Sequence, residues 1–339
     1  MAAAGSKPGG SAIAGLRVHH HAARLAAFTI AVACGAACGV ACGRPEPAEP
    51  PPAQVRFTSG APGAGFIRLA QALEGEYERA LPGLDIRVLE SEGATSNVEA
   101  IQRGDADIGL GHVNITYFAY LGRLAGSGVP FTRLRGIATL HLMSVHLLAR
   151  NGSGISRVEQ LRGRRVGLGL GRGTAVTATL VLGAFGIGLG EVQVVPVRYA
   201  EVPDLFARDK LDAHLISGSY PLEAVTEATG GGARLLPLDG PAIDRLHDDY
   251  PFFRRVLVPA GTYPGQQFAV HSVGVDSLLL CRADLDESLV YDLTRTLFDV
   301  LPSLTRLRLP AIDVDLAPAT LIPLHPGAAR YYRERELSR

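Results

Sequence analysis

The stretch Val166–Thr174, Val-Gly-Leu-Gly-Leu-Gly-Arg-Gly-Thr, constrains the fold of this chain more than any other. Arg164 and Arg165 lead into it, and an apolar, Ala/Thr/Leu-rich run, Ala175–Ala184, follows it. That order reads as strand, tight turn, helix. Glycines let the backbone pass close to a ligand and adopt positive φ. The following helix begins with unpaired N–H groups and a partial positive charge, so an anion is welcome there. Arg172 adds a planar, permanently charged fork suited to carboxylate or phosphate. As a dinucleotide fingerprint the stretch fails. Gly171-Arg-Gly173 would need glycine at 176, where Val176 stands, and Gly169 with Gly171 would need it at 174, where Thr174 stands. No Gly-x4-Gly-Lys-Ser/Thr occurs either. Two readings stay open: a small-anion site, or a tight turn with no ligand.

The same unit recurs along the chain. Val55–Thr58 is a strand, Ser59–Gly65 a glycine turn, and Phe66–Leu81 a helix with apolar residues at Phe66, Leu69, Ala70, Leu73 and Tyr77. Asp85–Leu89 is a strand, Glu92–Asn97 a turn, and Val98–Arg103 a helix capped by Ser96 or Asn97. Asp107–Gly111 is a buried strand, followed by His112-Val113-Asn114 and the helix Ile115–Leu124. Leu134–Ala149 is extended and long enough to cross from one lobe to another. Beyond Thr174 the alternation resumes: strand Val192–Val197, helix Val202–Lys210, strand Leu211–Ile216, turn Ser217–Pro221, helix Leu222–Thr229. Tyr250–Gln267 is rich in Pro and Gly and reads as loop. Ser272–Arg282 is a candidate return crossing, and Glu287–Val300 and Gly327–Leu337 are helices. Alternation on both sides of a crossing predicts an α/β protein with two doubly wound lobes, a hinge and an interlobe cleft. In such sheets ligands bind beyond the carboxyl ends of the strands.

Candidate ligand-binding residues follow from those strand ends. From the first lobe they are Ser59, Gly60 and Phe66, then Ser96 and Asn97, then His112 and Asn114. From the second they are Gly171, Arg172, Gly173, Thr174 and Tyr220. The N–H groups of Gly173 and Thr174 would hold an oxygen anion, and Phe66 and Tyr220 would wall the pocket. The competing reading makes the short polar residues helix caps and nothing more. Nucleophilic catalysis has little support, since Gly-x-Ser-x-Gly is absent and no His or Asp pattern recommends Ser217. No His-Glu-x-x-His occurs, so neither a catalytic metal nor a cofactor is implied. Lys plus Arg number 33 and Asp plus Glu 33, which gives nucleic acid no global attraction.

The N-terminus carries a different message. Arg17 and Arg24 precede the uncharged Leu25–Gly43, and a Pro-rich tether follows from Arg44. A basic region, an apolar core and small residues make an export signal. The expected division is therefore 1–43 signal segment, 44–53 linker, 54–145 lobe 1, 146–271 lobe 2, and 272–339 return crossing with helices packing on lobe 1. Three cysteines, Cys34, Cys38 and Cys42, lie in the signal region, and Cys281 sits alone in an apolar strand, which argues against a disulfide framework. Cys42 before the tether resembles the lipid-modified cysteine of bacterial lipoproteins, although Gly39 replaces the usual Leu. Ordinary cleavage nearby is the alternative.

From about Phe57 to Glu334 the motifs resemble the TAXI family, solute receptors of tripartite ATP-independent periplasmic (TRAP) transporters. The first turn Ser59–Phe66, Gly93–Asn97 with Gly104–Asp107, Val166–Thr174 and Leu211–Ala213 carry part of the likeness. The late motifs are more specific: Tyr250-Pro-Phe-Phe253, Pro259–Gln266, Tyr291–Phe298 and Leu324–Glu334. The resemblance implies a type II periplasmic-binding-protein fold that closes by hinge motion on a small organic acid or an amino acid such as glutamate. It also implies delivery to TRAP permease subunits from a periplasmic or membrane-anchored position. An orphan sensory or structural lipoprotein with the same fold is the alternative. The chain departs from the family at Ala61-Pro62, at His112-Val113-Asn114 where Gln-x-Asp is usual, and at Arg172 where a small residue is usual. Arg172 either meets a carboxylate ligand or closes on the opposite lobe.

Overall fold

The structure is a computed structural model that describes residues 53–61, 65–307, 309 and 311–337. The signal segment, Cys42 and Pro62 lie outside the described residues. The first α/β set comprises β1 (Ala53–Thr58), α1 (Gly65–Ala80), β2 (Leu84–Leu89), α2 (Ala94–Arg103), β3 (Ile108–His112) and α3 (Val113–Tyr120). β4 (Leu134–Ala149) leaves it. The second set comprises β5 (Arg165–Gly169), α4 (Arg172–Ala184), β6 (Gln193–Val197), α5 (Val202–Ala207), β7 (Ala213–Gly218) and α6 (Glu223–Gly230). β8 (Arg234–Leu236), α7 (Pro241–Asp249) and β9 (Arg254–Val258) lead to β10 (Val270–Arg282). The helices α8 (Glu287–Asp299), α9 (Leu301–Arg306) and α10 (Pro326–Leu337) follow.

β1 pairs parallel with β2 and β3, and β5 pairs parallel with β6 and β7. The two sets join through β10 and β4, in the order β2-β1-β3-β10-β4-β7-β5-β6. Both central strands are antiparallel to their neighbours. Each serves both sets. Ser277–Cys281 of β10 pairs with β3, whereas Val270–Gly274 pairs with β9. Leu134–Ser144 of β4 pairs with β10, and Ser144–Ala149 pairs with β7. At about 3.3 Å per residue, β4 runs roughly 50 Å. That length lets one strand belong to both halves, so the sheet is continuous instead of two separate sheets. Register shifts at Asp276/Leu278 and Leu279/Leu280 interrupt the β4–β10 ladder midway. The expected boundaries at 145/146 and 271/272 fall inside these two strands.

The halves repeat one another at their strand starts. Arg56 donates from its N–H and Nε to Asp107 Oδ2 at 2.9 Å each, and from Nη2 to Oδ1 at 2.9 Å. Arg165 does the same to Asp212, at 3.0, 2.9 and 2.7 Å. These bidentate pairs tie the first strand of each set to the turn before the third. Hydrogen bonding to Arg165 pulls the Asp212 carboxyl down to about 2.

At the opposite strand ends the first half is pinned by Asn97. This fully buried side chain donates to Ser59 O at 2.5 Å and Leu110 O at 2.6 Å, and accepts from the Thr58 hydroxyl at 2.7 Å. Asn97 is therefore neither a helix cap nor a ligand contact, because its amide is spent on three strand-end groups. Ser96 is not a cap either. Gly93, at φ 117°, is the residue before the helix, and α2 starts at Ala94, earlier than expected. Only glycine adopts that backbone without strain. Likewise α4 starts at Arg172, three residues before the apolar run. The region read as loop contains β9, where Arg254–Val258 pairs with β10 despite its Pro/Gly-rich surroundings.

One buried cluster runs from Val55 and Phe57 through Leu147 and Leu278 to Val181 and Leu182 of α4, so both halves share it. A smaller cluster around Val197, Phe206, Ile216 and Val258 lies in the second half. Replacing Asn97 by Leu leaves two carbonyls and a hydroxyl buried without partners. The expected loss is about 2–4 kcal/mol of unfolding free energy. A urea titration monitored by circular dichroism checks it.

Candidate functional site

The carboxyl ends of β1, β3 and β7 and the amino ends of α1, α2 and α4 enclose one cavity of about 90 Å³. Gly60, Phe66, His112 and Met143 line it from the first half and the crossing strand; Gly171, Gly173, Thr174, Tyr199 and Ser217 line it from the second. A space of this size admits a group as small as a carboxylate.

The glycine run explains how the walls come so close. None of Gly167, Gly169, Gly171 and Gly173 has positive φ, so the expectation of left-handed backbone there is wrong. They are small for another reason. A Cβ on Gly167 would stand 2.8 Å from Leu211 Cδ2, and one on Gly169 would stand 2.5 Å from the Tyr199 hydroxyl oxygen. A Cβ on Gly171 would overlap the carbonyl oxygen of Glu92 across the cleft. The alternate glycines thus admit a neighbouring strand's turn, an aromatic ring and the opposite half in turn.

Arg172 does not reach the cavity. Its guanidinium forms an ion pair with Glu99 on α2, at the exposed rim of the closed cleft. Of the two roles open to it, the structure places it in the second, closing on the opposite half. Asn114 is also withdrawn. It is fully buried, and its Nδ2 lies 3.2 Å from Thr177 Oγ1 on α4. That amide joins the halves, while its Oδ1 is buried without a partner. Ser59 turns its hydroxyl to Leu89 O at 2.8 Å, which closes the end of β1. Tyr220 is 39% exposed and does not line this cavity. Tyr199 supplies the aromatic wall instead. Thr174 lines the cavity, but its N–H goes to Gly171 O at 3.3 Å and is spent within the turn. Gly173, second in α4, has no acceptor four residues back inside the helix.

Apart from Glu92, which also lines it, the cavity is built of uncharged residues. His112 ends β3, meets the Phe66 ring edge-on at 5.2 Å, and has a buried Nδ1 without a partner. Burial pushes its pKa down to about 4, so it is uncharged at neutral pH. Ser217 Oγ is also buried without a partner. Burial raises the Tyr199 pKa, keeping its hydroxyl protonated 3.4 Å from Thr174 Oγ1. Thr95, in the first turn of α2, likewise has an unpartnered Oγ1, and a Cβ on Gly173 would sit 3.4 Å from it. No Lys or Arg lines the cavity among the described residues. Three helix amino ends supply the positive potential. No group of three or more His, Cys, Asp or Glu gathers to hold a metal among the described residues.

Ser217 and Tyr199 were missed as site residues. Ser217 had a signal. It stands five residues after Asp212, as His112 stands five after Asp107, so the repeat makes them equivalent. Tyr199 follows a strand with weak alternation and had none.

Two repeated α/β sets joined by crossing strands around a cleft make a mixed α/β fold. Residues 63–335 match the NMT1-like family, and the chain belongs to it. The fold is similar to that of XAC2383 from Xanthomonas citri bound to ATP, with a TM-score of 0.51 at 13% identity over 84% of this chain and 98% of that one. It is similar also to a protein of Bordetella bronchiseptica RB50, at 0.51 and 15% over 84% and 82%. The periplasmic aliphatic sulphonate binding protein SsuA from Escherichia coli matches at 0.45 and 17% over 83% and 79%. At these identities the likeness is one of fold.

Two outcomes follow from the geometry. Gly171→Ala is expected to hold the halves apart, giving a larger radius of gyration than wild type by small-angle scattering; an equal radius shows that the turn yields instead. The second concerns pH. His112, His141, His146 and His214 are each held near 4 by burial, below the ordinary 6.5. The unfolded chain takes up protons first as pH falls, so their contribution is complete above about 6.5 and is lost as pH drops toward 4. Urea midpoints measured from pH 7.5 to 4.5 are expected to fall steadily below 6.5.

Proposed function

We propose that this chain is an extracytoplasmic solute-binding receptor. It captures a small carboxylate-bearing solute between its halves, closes on it and delivers it to a membrane permease, with no chemistry performed on the solute. The observation that carries this reading is the pair His112 Nδ1 and Ser217 Oγ. They are equivalent atoms of the two halves, both buried, both unpartnered, and both in one cavity at three helix amino ends. A carboxylate would satisfy both at once, and only when the halves are closed. That gives the ligand differential affinity for the closed state, which a capture device needs. Carboxylates are stabilised at helix amino ends without a cationic side chain.

The permease partner rests on the late motifs. Tyr250–Phe253 and Pro259–Gln266 resemble the TAXI receptors, which favours a TRAP-type, ATP-independent permease and ligands of the organic-acid and glutamate kind. Export follows from Arg17, Arg24 and Leu25–Gly43, and Cys42 is the candidate lipid anchor.

Isothermal titration of the mature chain with acetate, propanoate, butanoate and their amides tests the reading. Saturable binding of at least one acid, and of none of the amides, is expected. His112→Ala and Ser217→Ala are each expected to weaken it about tenfold or more, the scale of one hydrogen bond to a charged group. Arg172→Ala is expected to leave carboxylate affinity within about threefold, the scale of an exposed ion pair. Absence of saturable binding by any acid overturns the proposal.

A further inference from the structure

An anion enclosed in the inner cavity would meet no cationic side chain among the described residues. The nearest guanidinium, Arg172, is already paired with Glu99 at the rim, and the exposed Glu92 at the cavity edge is itself negative. Enclosing a carboxylate costs free energy unless an opposite charge is supplied. The helix amino ends offset part of that cost, each with about half an elementary charge.

His112 can create the missing charge. It ends β3, its ring is half-buried against the cavity, and its Nδ1 is buried without a partner. The groups packed around it are apolar, neutral or negative. From α1 the Phe66 ring meets it edge-on, and from β10 Ser277 stands opposite it in the ladder. The Ser277 hydroxyl donates to His141 O at 2.9 Å and accepts from the His141 N–H at 3.3 Å, which sets His141 of β4 next in line. His141 is also buried, with its Nδ1 unpartnered, and a charge on either ring opposes a charge on the other. Tyr199 on the far wall stays protonated, which leaves Glu92 as the only carboxylate lining the cavity among the described residues. With no anion enclosed, burial prevails and His112 is held near 4.

We propose that this receptor takes up a proton with its ligand: His112 becomes an imidazolium as the carboxylate enters, and the solute is held as a buried ion pair with no net charge. The proton comes from solvent and the carboxylate stays ionised. This rests on the carboxylate reading above and deepens it, making His112 a titrating counter-charge where a neutral hydrogen-bond donor would otherwise serve. An anion within about 4–6 Å favours the charged form of a titrating group, and a cavity of about 90 Å³ keeps a carboxylate close to the ring. The neighbouring His141 opposes a second proton, so uptake stops at one. Binding raises the His112 pKa from its low free value. Affinity is therefore greatest at low pH and falls as pH rises through the bound-state value.

Calorimetric titration of the mature chain with the tightest-binding of acetate, propanoate and butanoate, at pH 6.0 and 7.5, tests this. The acids are ionised across that range. Each titration is run in two buffers of different ionisation enthalpy, neither an oxyanion, so that the difference in heat counts protons. At least half a proton is expected to enter per acid bound at pH 6.0 and less at 7.5, with affinity falling about twofold or more between them. His112→Asn keeps an N–H donor near the Nδ1 position and cannot titrate; it is expected to bind with no proton uptake and with affinity independent of pH. In nitrogen-labelled wild type the ring resonances of His112 are expected to pass from neutral imidazole to imidazolium on saturation at pH 6.0, a readout that does not depend on the variant's folding. Saturable binding without proton uptake, uptake that persists in His112→Asn, or neutral ring resonances in the saturated wild type overturns this inference and leaves the receptor reading standing. If no acid saturates, the receptor reading falls and this inference falls with it.

Discussion

The carbonyl oxygen of Glu92 occupies the space that any side chain at position 171 would need. This contact sets how closely the two halves meet, and much else depends on it. It brings the first turn of α4 against the first turn of α2, so that two helix amino ends share one cavity. It carries Arg172 out to Glu99, and it lets Asn114 and Thr177 meet between α3 and α4. Any residue larger than glycine at 171 would displace these contacts together.

The repeat explains why the site lies where it does. In each half an Arg–Asp clamp anchors the strand starts, and the chain then runs one strand length to a polar residue at the other end, His112 in one half and Ser217 in the other. The halves differ in how those ends are braced. Asn97 ties β1, β3 and α2 together in the first half. In the second, His214 Nδ1 lies 3.0 Å from Gly167 O and links β7 to β5. Polar side chains thus brace the strand ends in both halves, and two buried polar atoms without partners, His112 Nδ1 and Ser217 Oγ, belong to residues that line the cavity.

Much of the frame was legible in the sequence. β4 was read with its observed limits, and α1, α8 and α10 within a residue of theirs, because strong periodicity and flanking turns define elements whose pattern is local. The late motifs were also visible, and the structure gives them structural work. Tyr250 and Phe252 pack on Phe118, and Tyr117 also meets Phe252; Tyr263 shares its hydroxyl with His146 Nε2 at 2.9 Å and the Leu222 N–H at 3.1 Å. These residues brace α3 and β4 and do not line the cavity. β9 was missed because its pairing with β10 is non-local.

Sequence alone determined the alternation of strand, turn and helix, the two crossings, and the turns at which a ligand would be met, since these follow from periodicity and from glycine placement. It did not determine which polar residues at those turns face the cleft. Ser59, Asn97 and Asn114 look the same in sequence as His112 and Ser217, being short runs' polar ends beside apolar strands. Only the tertiary structure separated them, because what a buried polar group meets depends on partners from distant segments: Leu89 for Ser59 and Leu110 for Asn97. The same holds for Arg172. Its charge was plain, but its partner, Glu99, comes from the other half of the fold.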